Sequence, residues 1–447
     1  MKFIFLVLIL QTIYWYIGKR SSKNIKTQDD YYLAGKTVTF FPLMMTFLAT
    51  QVGGGLVLGA ADEAYKYGWA ILFYPLGNAL GLIFLGLGLG RKLAQFQVST
   101  VAQILEVIYR SPLLRKIASM LSVISLFMIL AGQIIASKKF LVAMGVPSNA
   151  IFVAVWASII LYTVRGGLKA VIATDMAQAT LFTLVFLFAF SWVAYDGPFP
   201  ASIESYAVAT SKYTGWLLMP LLFMIIEQDM GQRCFAGESP RTVSKASFWA
   251  GILAMLICII PVYFGVLAKS LGLIIPPGAS VLMVAVSTLT NPWITAIVGC
   301  AVLAAVISTA TSLISAISSN LSSDFFSKQK SLRSMQILTA ALSAAAIICA
   351  FFFNNVVEML IQSYELSLSC LLIPILTALF KKQGHFISGI LSMVFGIAGF
   401  CLFKFVSPPT PSEIGSILLS LAGYSIGEWI AFTQRDKVKN RNPGLAE

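Results

Sequence analysis

Apolar runs of about 20 residues recur along the chain, and this recurrence limits the fold more than any other feature. A helix needs about 20 apolar residues to cross a bilayer, and within lipid only helices and closed barrels satisfy their backbone groups. Thirteen runs lie near residues 2–18, 38–60, 68–90, 115–137, 146–164, 170–194, 214–236, 246–268, 290–320, 334–353, 356–380, 386–404 and 411–432. We therefore predict an all-α polytopic membrane protein with about 13 transmembrane helices. Only 11% of the residues are charged, against about 25% in soluble domains.

The first run, 2–18, is short and follows a single basic residue, Lys2, as in a signal peptide. However, no small-residue cleavage pattern follows Tyr14-Trp15-Tyr16. Such an aromatic cluster is typical of the membrane interface. We predict a retained helix.

Basic residues are unevenly divided between the two sides of the predicted spans. With the N-terminus outside, the outer side holds only Lys2, Lys66, Lys138, Lys139, Lys212, Lys269 and Lys404 of the 31 Lys and Arg residues. The inner loops and a polar tail over 433–447 hold the rest. Excess Lys and Arg mark cytoplasmic loops, so we predict an inner-membrane protein with an outside N-terminus and a cytoplasmic C-terminus. The net charge of +13 then needs no nucleic-acid partner, and the partners expected are the lipid bilayer and a small solute, with no obligatory protein partner.

Residue types used in catalysis or metal binding are sparse. The six cysteines stand singly with no CxxC pair, and the only histidine, His385, follows Lys381 and Lys382 in a loop. Without a nucleophile–base pair an enzyme is not indicated. A passive channel is an alternative, although the sequence lacks rings of charge and a filter-like repeat.

Small hydroxyl residues are concentrated in one apolar run, 290–320. Ala305, Ser308 and Thr309 stand at i, i+3 and i+4 and therefore share one helical face. A backbone carbonyl and two hydroxyls form half of an oxygen cage for a dehydrated cation such as Na⁺, which prefers hard ligands. Close helix packing and hydrogen bonds back to the preceding turn are the alternative explanation.

The second run contains residues that interrupt a helix. Gly53-Gly54-Gly55 follows the polar pair Thr50-Gln51, and each glycine costs about 1 kcal/mol relative to Ala in a helix. A break here frees carbonyls inside the membrane, which is tolerated where the backbone lines a cavity or is covered by protein. Close packing through glycine is the alternative.

The seventh run, 214–236, contains Pro220 and then Glu227-Gln228-Asp229. Acids in a span face a cavity or a partner, unless these two lie at the cytoplasmic edge and pair with Arg233. The interrupted runs, the second and the seventh, are five apart, which is the pattern of an inverted-repeat transporter. We predict a 5+5 inverted repeat within one transmembrane domain, with repeats over 38–194 and 214–380, an extra helix over 1–18 and two more over 386–432.

Two other acids stand in or beside apolar runs. Asp175 can pair with Arg165 or Lys169. Glu365 has no basic residue at i±3 or i±4. Because an ionised carboxylate facing lipid costs at least about 2.5–3.5 kcal/mol, we predict that Glu365 faces a central cavity.

Three segments carry a resemblance to a known family. Tyr31-Tyr32-Leu33-Ala34-Gly35-Lys36 is similar to the motif Y-F-L-A-G-R. Gly166-Gly167-Leu168-Lys169-Ala170-Val171, with Thr174-Asp175 and Gln178, is similar to G-G-x-x-A-V-x-x-T-D-x-x-Q. Ser308-Thr309-Ala310-Thr311-Ser312, with Ser318-Ser319 and Asp324, is similar to S-T-A-D-S…S-S…D. In this order, over about residues 30–385, they resemble the sodium/solute symporter family.

The resemblance implies the leucine-transporter fold and import of a small solute driven by a sodium gradient. It implies a sodium site made of the carbonyls of Ala49, Val52 and Ala305 with the hydroxyls of Ser308 and Thr309. It also places Asp175 on the sodium release path. Many members have Asp where this chain has Thr311, so the resemblance gives no basis for a second sodium site in that region.

The choline transporter branch is the subfamily that the chain resembles most in its first broken helix. That branch has A-T-W-V-G-G-G where this chain has Ala49-Thr50-Gln51-Val52-Gly53-Gly54-Gly55, and S-D-L where it has Tyr364-Glu365-Leu366. Gln51 replaces a tryptophan that cation–π binding of a quaternary ammonium would use. We therefore predict sodium-coupled symport of a small polar or zwitterionic organic solute by alternating access, with choline-type uptake or a passive facilitator as alternatives. The predicted solute-lining residues are Gln51, Gly53, Gly54, Gly55, Leu56, Phe223, Glu227, Gln228 and Glu365.

Overall fold

The computed structural model describes residues 2–196, 210–326, 331–349, 351, 356–405 and 411–441. The described residues form helices and contain no β-strand. The α-helices are α1 (Lys2–Ser21), α2 (Gln28–Leu33), α3 (Phe40–Gln51), α4 (Ala60–Tyr67), α5 (Phe73–Phe84), α6 (Gly90–Gln95), α7 (Val101–Tyr109), α8 (Pro112–Ala143), α9 (Asn149–Asp196), α10 (Thr210–Ile226), α11 (Gln228–Ala236), α12 (Pro240–Ser270), α13 (Val281–Leu289), α14 (Pro292–Phe325), α15 (Leu332–Cys349), α16 (Val356–Phe380), α17 (Phe386–Phe405) and α18 (Ser412–Arg441). The all-α prediction is therefore confirmed.

The number of spans differs from the thirteen predicted. Among the described residues, 10 helices are long and apolar enough to cross a membrane, and two shorter apolar helices cover Phe40–Gln51 and Lys212–Ile226. One continuous helical stretch, Asn149–Tyr195, contains two of the predicted runs in 47 residues. At about 1.5 Å per residue it is long enough to cross a bilayer twice, so counting apolar runs and counting helices give different totals. The count of thirteen is not confirmed.

The bend in α9 occurs at Gly167, which has a positive φ of 49°. A Cβ atom at this position would lie 2.2 Å from the Tyr31 carbonyl oxygen. Glycine is needed here because it adopts positive φ and admits close backbone approach. The bend divides α9 between the two predicted runs 146–164 and 170–194.

Both predicted helix interruptions are confirmed. The first lies between α3 and α4, where Val52 has φ −78° and ψ 76° and a π-helical turn over Gly55–Gly59 precedes α4. The second lies between α10 and α11, where Glu227 is extended, with φ −84° and ψ 148°. Each break exposes backbone groups that lack a partner within the helix.

Helix α14 forms the centre of the protein, since 94% of the residues in its most apolar 18-residue segment are buried. It packs against α8 and α9, and also contacts α3 and α11. Its hydroxyl-rich face therefore meets both broken helices. The last helix, α18, continues to Arg441, so much of the polar segment predicted over 433–447 is helical, while residues 442–447 lie outside the described part.

Candidate functional site

The hydroxyls of α14 meet the end of α3 in a cluster of buried oxygens. The Ser308 hydroxyl donates to the Ala49 carbonyl at 2.8 Å and lies 2.9 Å from the Ala305 carbonyl. The Thr309 hydroxyl lies 3.3 Å from each of the same two carbonyls. Val52, three residues after Ala49, is fully buried where α3 ends. These hydrogen bonds join four of the five predicted ligands, and Val52 is grouped with them by its position at the break. We call these five residues the oxygen cage.

The cage combines the two explanations considered for the hydroxyls. Ser308 and Thr309 bond back to Ala305 within α14, as hydroxyls in membrane helices commonly do. They also reach across to Ala49, which packing alone does not require. A hydroxyl has lone pairs as well as a proton, so rotating the two protons outward would leave lone pairs of both hydroxyls and both carbonyls free to ligate a cation.

A small cavity lies beside the cage, between the two broken helices. It has about 30 Å³ of space for water. Since one water needs about 10–15 Å³, this conformation has room for about two or three waters. The lining residues are Thr50, Gln51, Gly53, Gly55, Leu56, Tyr74, Asn78, Ile129, Gln133, Phe223, Met224, Asp229, Thr309, Leu313 and Tyr364. We call this space the central cavity.

The central cavity includes five of the nine residues predicted to line a solute site: Gln51, Gly53, Gly55, Leu56 and Phe223. The sequence reasoning missed Tyr74, Asn78, Gln133 and Tyr364, which belong to helices without a break. Asn78 and Gln133 are polar residues within apolar spans, and that was the available signal, because such residues usually face a bundle interior.

The other four predicted residues lie outside the lining of the central cavity. The Gly54 backbone N–H donates to the Gln133 side-chain oxygen at 2.9 Å, so Gly54 anchors the break to α8. Gln228 bonds to the backbone of Ser99 and Val101 at 3.0 and 2.8 Å. Glu365 is buried in α16, and it is its neighbour Tyr364 that lines the cavity.

Glu227 also lies away from the central cavity. It is fully buried, and the Ser122 hydroxyl of α8 donates to its Oε2 at 3.0 Å. Its neighbour Asp229 takes its place in the cavity wall, with one carboxylate oxygen accepting the Met230 N–H at 2.8 Å. The cavity therefore has one acidic group, beside the rings of Phe223 and Tyr364, whose centroids are 4.4 Å apart.

Asp175 belongs to a buried ion-pair network about one helical turn away from the oxygen cage. Its carboxylate is 3.4 Å from the Arg233 guanidinium and accepts the Thr46 hydroxyl at 2.5 Å. Arg233 also donates to the carbonyls of Thr46 and Asp229, at 3.3 and 2.8 Å, and to the Ser312 hydroxyl. The partner of Asp175 is thus Arg233, whereas the sequence suggested Arg165 or Lys169. We call Asp175, Thr46, Ser312 and Arg233 the ion-pair network.

The three sequence motifs contact one another near this network. The Tyr31 hydroxyl donates to the Val164 carbonyl at 2.8 Å, and the Tyr32 hydroxyl is 3.0 Å from Ser318 on α14. Lys169 is 3.1 Å from Asp30. The pKa of Asp30 is held below its ordinary value, mainly by the Thr27 hydroxyl of a helix capping box. The motifs are therefore one structural unit.

Sequence comparison now places this arrangement in a family. The family model of the sodium:solute symporters matches residues 31–396. The chain belongs to the sodium:solute symporter family. This match covers both broken helices, the oxygen cage and the ion-pair network.

Several curated relatives are transporters of different solutes. The chain is 25% identical to a high-affinity choline transporter of Drosophila melanogaster over 60% of the chain and 45% of the relative. It is 29% identical to a sodium/pantothenate symporter of Escherichia coli over 39% of the chain and 37% of the relative. It spans less than half the length of these relatives in the matched regions.

Solved structures share the fold more completely. A Na⁺-coupled sialic acid symporter, in a substrate-bound outward-open state, matches with a TM-score of 0.75 and 16% identity over 96% of this chain and 98% of the other. A nucleobase–cation symporter in a closed conformation matches with a TM-score of 0.63 and 12% identity, over 92% and 96% of the two chains. The leucine-transporter-type architecture is confirmed.

Gly53 provides a direct test of the contact between the first break and α14. A Cβ atom on Gly53 would lie 2.4 Å from the Thr309 hydroxyl oxygen, which is closer than any non-bonded contact. We expect Gly53→Ala to push Thr309 out of the cage and to lower the apparent Na⁺ affinity of transport at least tenfold. Gly59→Ala is the matched control, because its Cβ would meet only the Gly54 carbonyl at 3.9 Å. Equal Na⁺ dependence in the two variants would contradict the close contact.

Proposed function

We propose that this protein is a sodium-coupled secondary active symporter that imports a small polar or zwitterionic organic solute by alternating access. The observation that carries the proposal is the shared wall of the oxygen cage and the central cavity. Thr309 belongs to both, and Gly53 of the cavity lining lies directly against Thr309. An ion held in the cage would therefore share Thr309 with the solute site, and its binding would be coupled to solute binding through that residue.

The proposed cage suits Na⁺ as the coupling ion. It offers neutral carbonyl and hydroxyl oxygens, which are hard ligands. Among the described residues, no group of three or more His, Cys, Asp or Glu residues could hold a metal ion, so transition metals have no comparable site there. One charge that crosses 100 mV supplies about 2.3 kcal/mol, and a tenfold gradient adds about 1.4 kcal/mol. One Na⁺ could thus support roughly 10²–10³-fold accumulation.

The chemistry of the central cavity indicates the class of solute. The Asp229 carboxylate would attract a cationic group, and the rings of Tyr74, Phe223 and Tyr364 would stabilise it through cation–π contacts. The amides of Gln51 and Gln133 could hydrogen-bond a polar or anionic end. A small amine-bearing zwitterion fits this combination, after the cavity widens from its present volume.

A quaternary ammonium such as choline is the second candidate solute. The sequence suggested that the aromatic residues for such a ligand were missing, but Tyr74 and Tyr364 reach the cavity from other helices. One of the relatives is named as a choline transporter. Asp229 would then balance the fixed positive charge.

We place the N-terminus outside and the C-terminus in the cytoplasm of a cell (inner) membrane. This orientation follows from the excess of Lys and Arg in alternate loops. Asp175 and Arg233 then lie on the cytoplasmic side of the oxygen cage, where an ion released inward would pass. This geometry supports the assignment of Asp175 to the release path.

Proteoliposomes with an imposed Na⁺ gradient test the proposed function. Labelled choline, pantothenate and sialic acid form the first panel, since two relatives and one solved structure are named for these solutes. Unlabelled amines and carboxylates then compete. We expect concentrative uptake with an inward Na⁺ gradient and none with K⁺ at the same ionic strength. Solute equilibration that is independent of both cations would identify a passive facilitator and overturn the proposal.

A further inference from the structure

Glu227 lies in a second cluster of buried oxygens, separate from the central cavity. The Ser122 hydroxyl of α8 donates to Glu227 Oε2 at 3.0 Å, and the Asn320 amide of α14 donates to Ser122 at 3.1 Å. All three residues are at most 6% exposed. We call them the Glu227 cluster.

The Glu227 cluster contains acceptors that lack donors. Among the described residues, no hydrogen-bond donor reaches the buried Oε1 of Glu227 or the buried Oδ1 of Asn320. Buried polar atoms without a partner are rare and call for a specific explanation. Because the orphan Oε1 of Glu227 is an acceptor on a carboxyl group, the missing component is a positive charge, carried either by a metal cation or by a proton.

The charged groups nearest in sequence do not supply that charge. Asp229 is itself acidic, and Arg233 directs its guanidinium to Asp175, Thr46 and Ser312. A buried carboxylate is costly unless it is paired, and acids inside membrane spans commonly mark ion pathways. The chain therefore buries a carboxyl for which an external cation would be the natural partner.

The predicted inverted repeat gives an independent argument for an ion site here. The first broken helix meets α14, the third span of the second predicted repeat, where the Ser308 hydroxyl donates to the Ala49 carbonyl. The second broken helix meets α8, the third span of the first predicted repeat, where the Ser122 hydroxyl donates to Glu227. Under the pseudo-two-fold axis that such repeats have, the two contacts would occupy corresponding positions, one at a backbone carbonyl and one at a carboxyl group.

We propose that the Glu227 cluster binds a second Na⁺, ligated by the oxygens of Glu227, Ser122 and Asn320. This site goes beyond the proposed function, which needs only the oxygen cage. The Ser122 hydroxyl turns its proton away, and the Asn320 amide rotates to present Oδ1, an orientation that amide groups reach by a simple flip. The ion neutralises the carboxylate, so the cluster carries no net charge while occupied.

Equilibrium binding of ²²Na⁺ to the purified full-length protein tests this site without knowledge of the solute. We expect two Na⁺ per chain at saturation for the parent protein. Glu227→Gln, which keeps the shape and an acceptor for Ser122, should bind one. Ser308→Ala with Thr309→Ala should also bind one, and the combination of all three substitutions none. Glu428→Gln is the matched control, because Glu428 pairs with Lys381 at the periphery, and it should bind two.

The outcomes separate this inference from the proposed function. If the parent binds one Na⁺, and this ion is lost with Ser308→Ala and Thr309→Ala but kept in Glu227→Gln, the second site alone is overturned. No Na⁺ in the parent overturns the proposed function. One Na⁺ in the parent together with proton release that disappears in Glu227→Gln shows that the cluster holds a proton and also overturns the Na⁺ assignment.

A second variant tests the site even if Glu227→Gln does not fold. Ser122→Ala removes one ligand and leaves the carboxyl in place, so we expect the affinity of one of the two Na⁺ sites to fall at least tenfold. Unchanged affinity at both sites in a folded Ser122→Ala protein would contradict ligation by Ser122.

Discussion

Replacing Ser308 and Thr309 together by Ala is expected to remove most of the sodium dependence of uptake. The two hydroxyls are two of the five oxygens proposed for the oxygen cage, and both lie within 3.3 Å of the Ala49 carbonyl. Loss of outer-shell partners alone typically costs 10–100-fold in metal affinity. We therefore expect the apparent Na⁺ affinity to fall by at least about 10–100-fold, measured as initial uptake rate against Na⁺ concentration at constant ionic strength.

A buried hydroxyl elsewhere provides the matched control. Ser247 is fully buried in α12, and its hydroxyl bonds to the Val243 and Ser244 carbonyls of its own helix. Ser247→Ala removes the same atom from the same kind of environment, so its Na⁺ dependence should match the parent. If the double variant of Ser308 and Thr309 also matches the parent, the cage does not hold the coupling ion.

The fold was predictable because the bilayer leaves few alternatives. Length and apolarity determine where helices cross, and the glycines at 53–55 and the acids Glu227 and Asp229 marked both breaks. The count of spans was less predictable. One continuous helical stretch, Asn149–Tyr195, contains two of the predicted runs, and apolar runs alone do not show whether a bend or a loop separates them.

The contacts of the candidate site were predictable only where both partners lay on elements with strong sequence patterns. The hydroxyls of α14 and the first helix break both lie in segments with such patterns, so their contact was predictable. Tyr74, Gln133 and Tyr364 do not, because each stands on an otherwise ordinary apolar helix and its orientation is set by packing. Single polar residues in spans such as Gln133 were a usable signal, since they rarely face lipid.

Arg233 shows a different limit of sequence reasoning. Its proximity to Glu227 and Asp229 in the chain suggested an ion pair at the cytoplasmic edge of one helix. In the structure it is fully buried and pairs with Asp175 of α9, while only the Asp229 backbone carbonyl accepts from it. A long side chain reaches partners on neighbouring helices, and the partner depends on tertiary packing.

Separating Arg233 from Asp175 should produce the largest loss of stability. Removal of one member of a buried ion pair leaves an uncompensated charge, at a typical cost of about 3–5 kcal/mol. We expect Arg233→Gln and Asp175→Asn each to lower the free energy of unfolding in detergent by about this amount. The double variant should lose less than the sum of the two, because neither charge remains without its partner.

The partly exposed pair of Lys169 and Asp30 provides the control for this cycle. Their side chains are 26% and 23% exposed, and solvent-accessible pairs contribute about 0–1 kcal/mol. Lys169→Met should therefore change unfolding far less than Arg233→Gln. The network joins α3, α9, α11 and α14 through Thr46, Asp175, Arg233 and Ser312, so its loss affects four helices at once. Additive costs in the double variant would show that Asp175 and Arg233 stabilise the protein through other neighbours and not through each other.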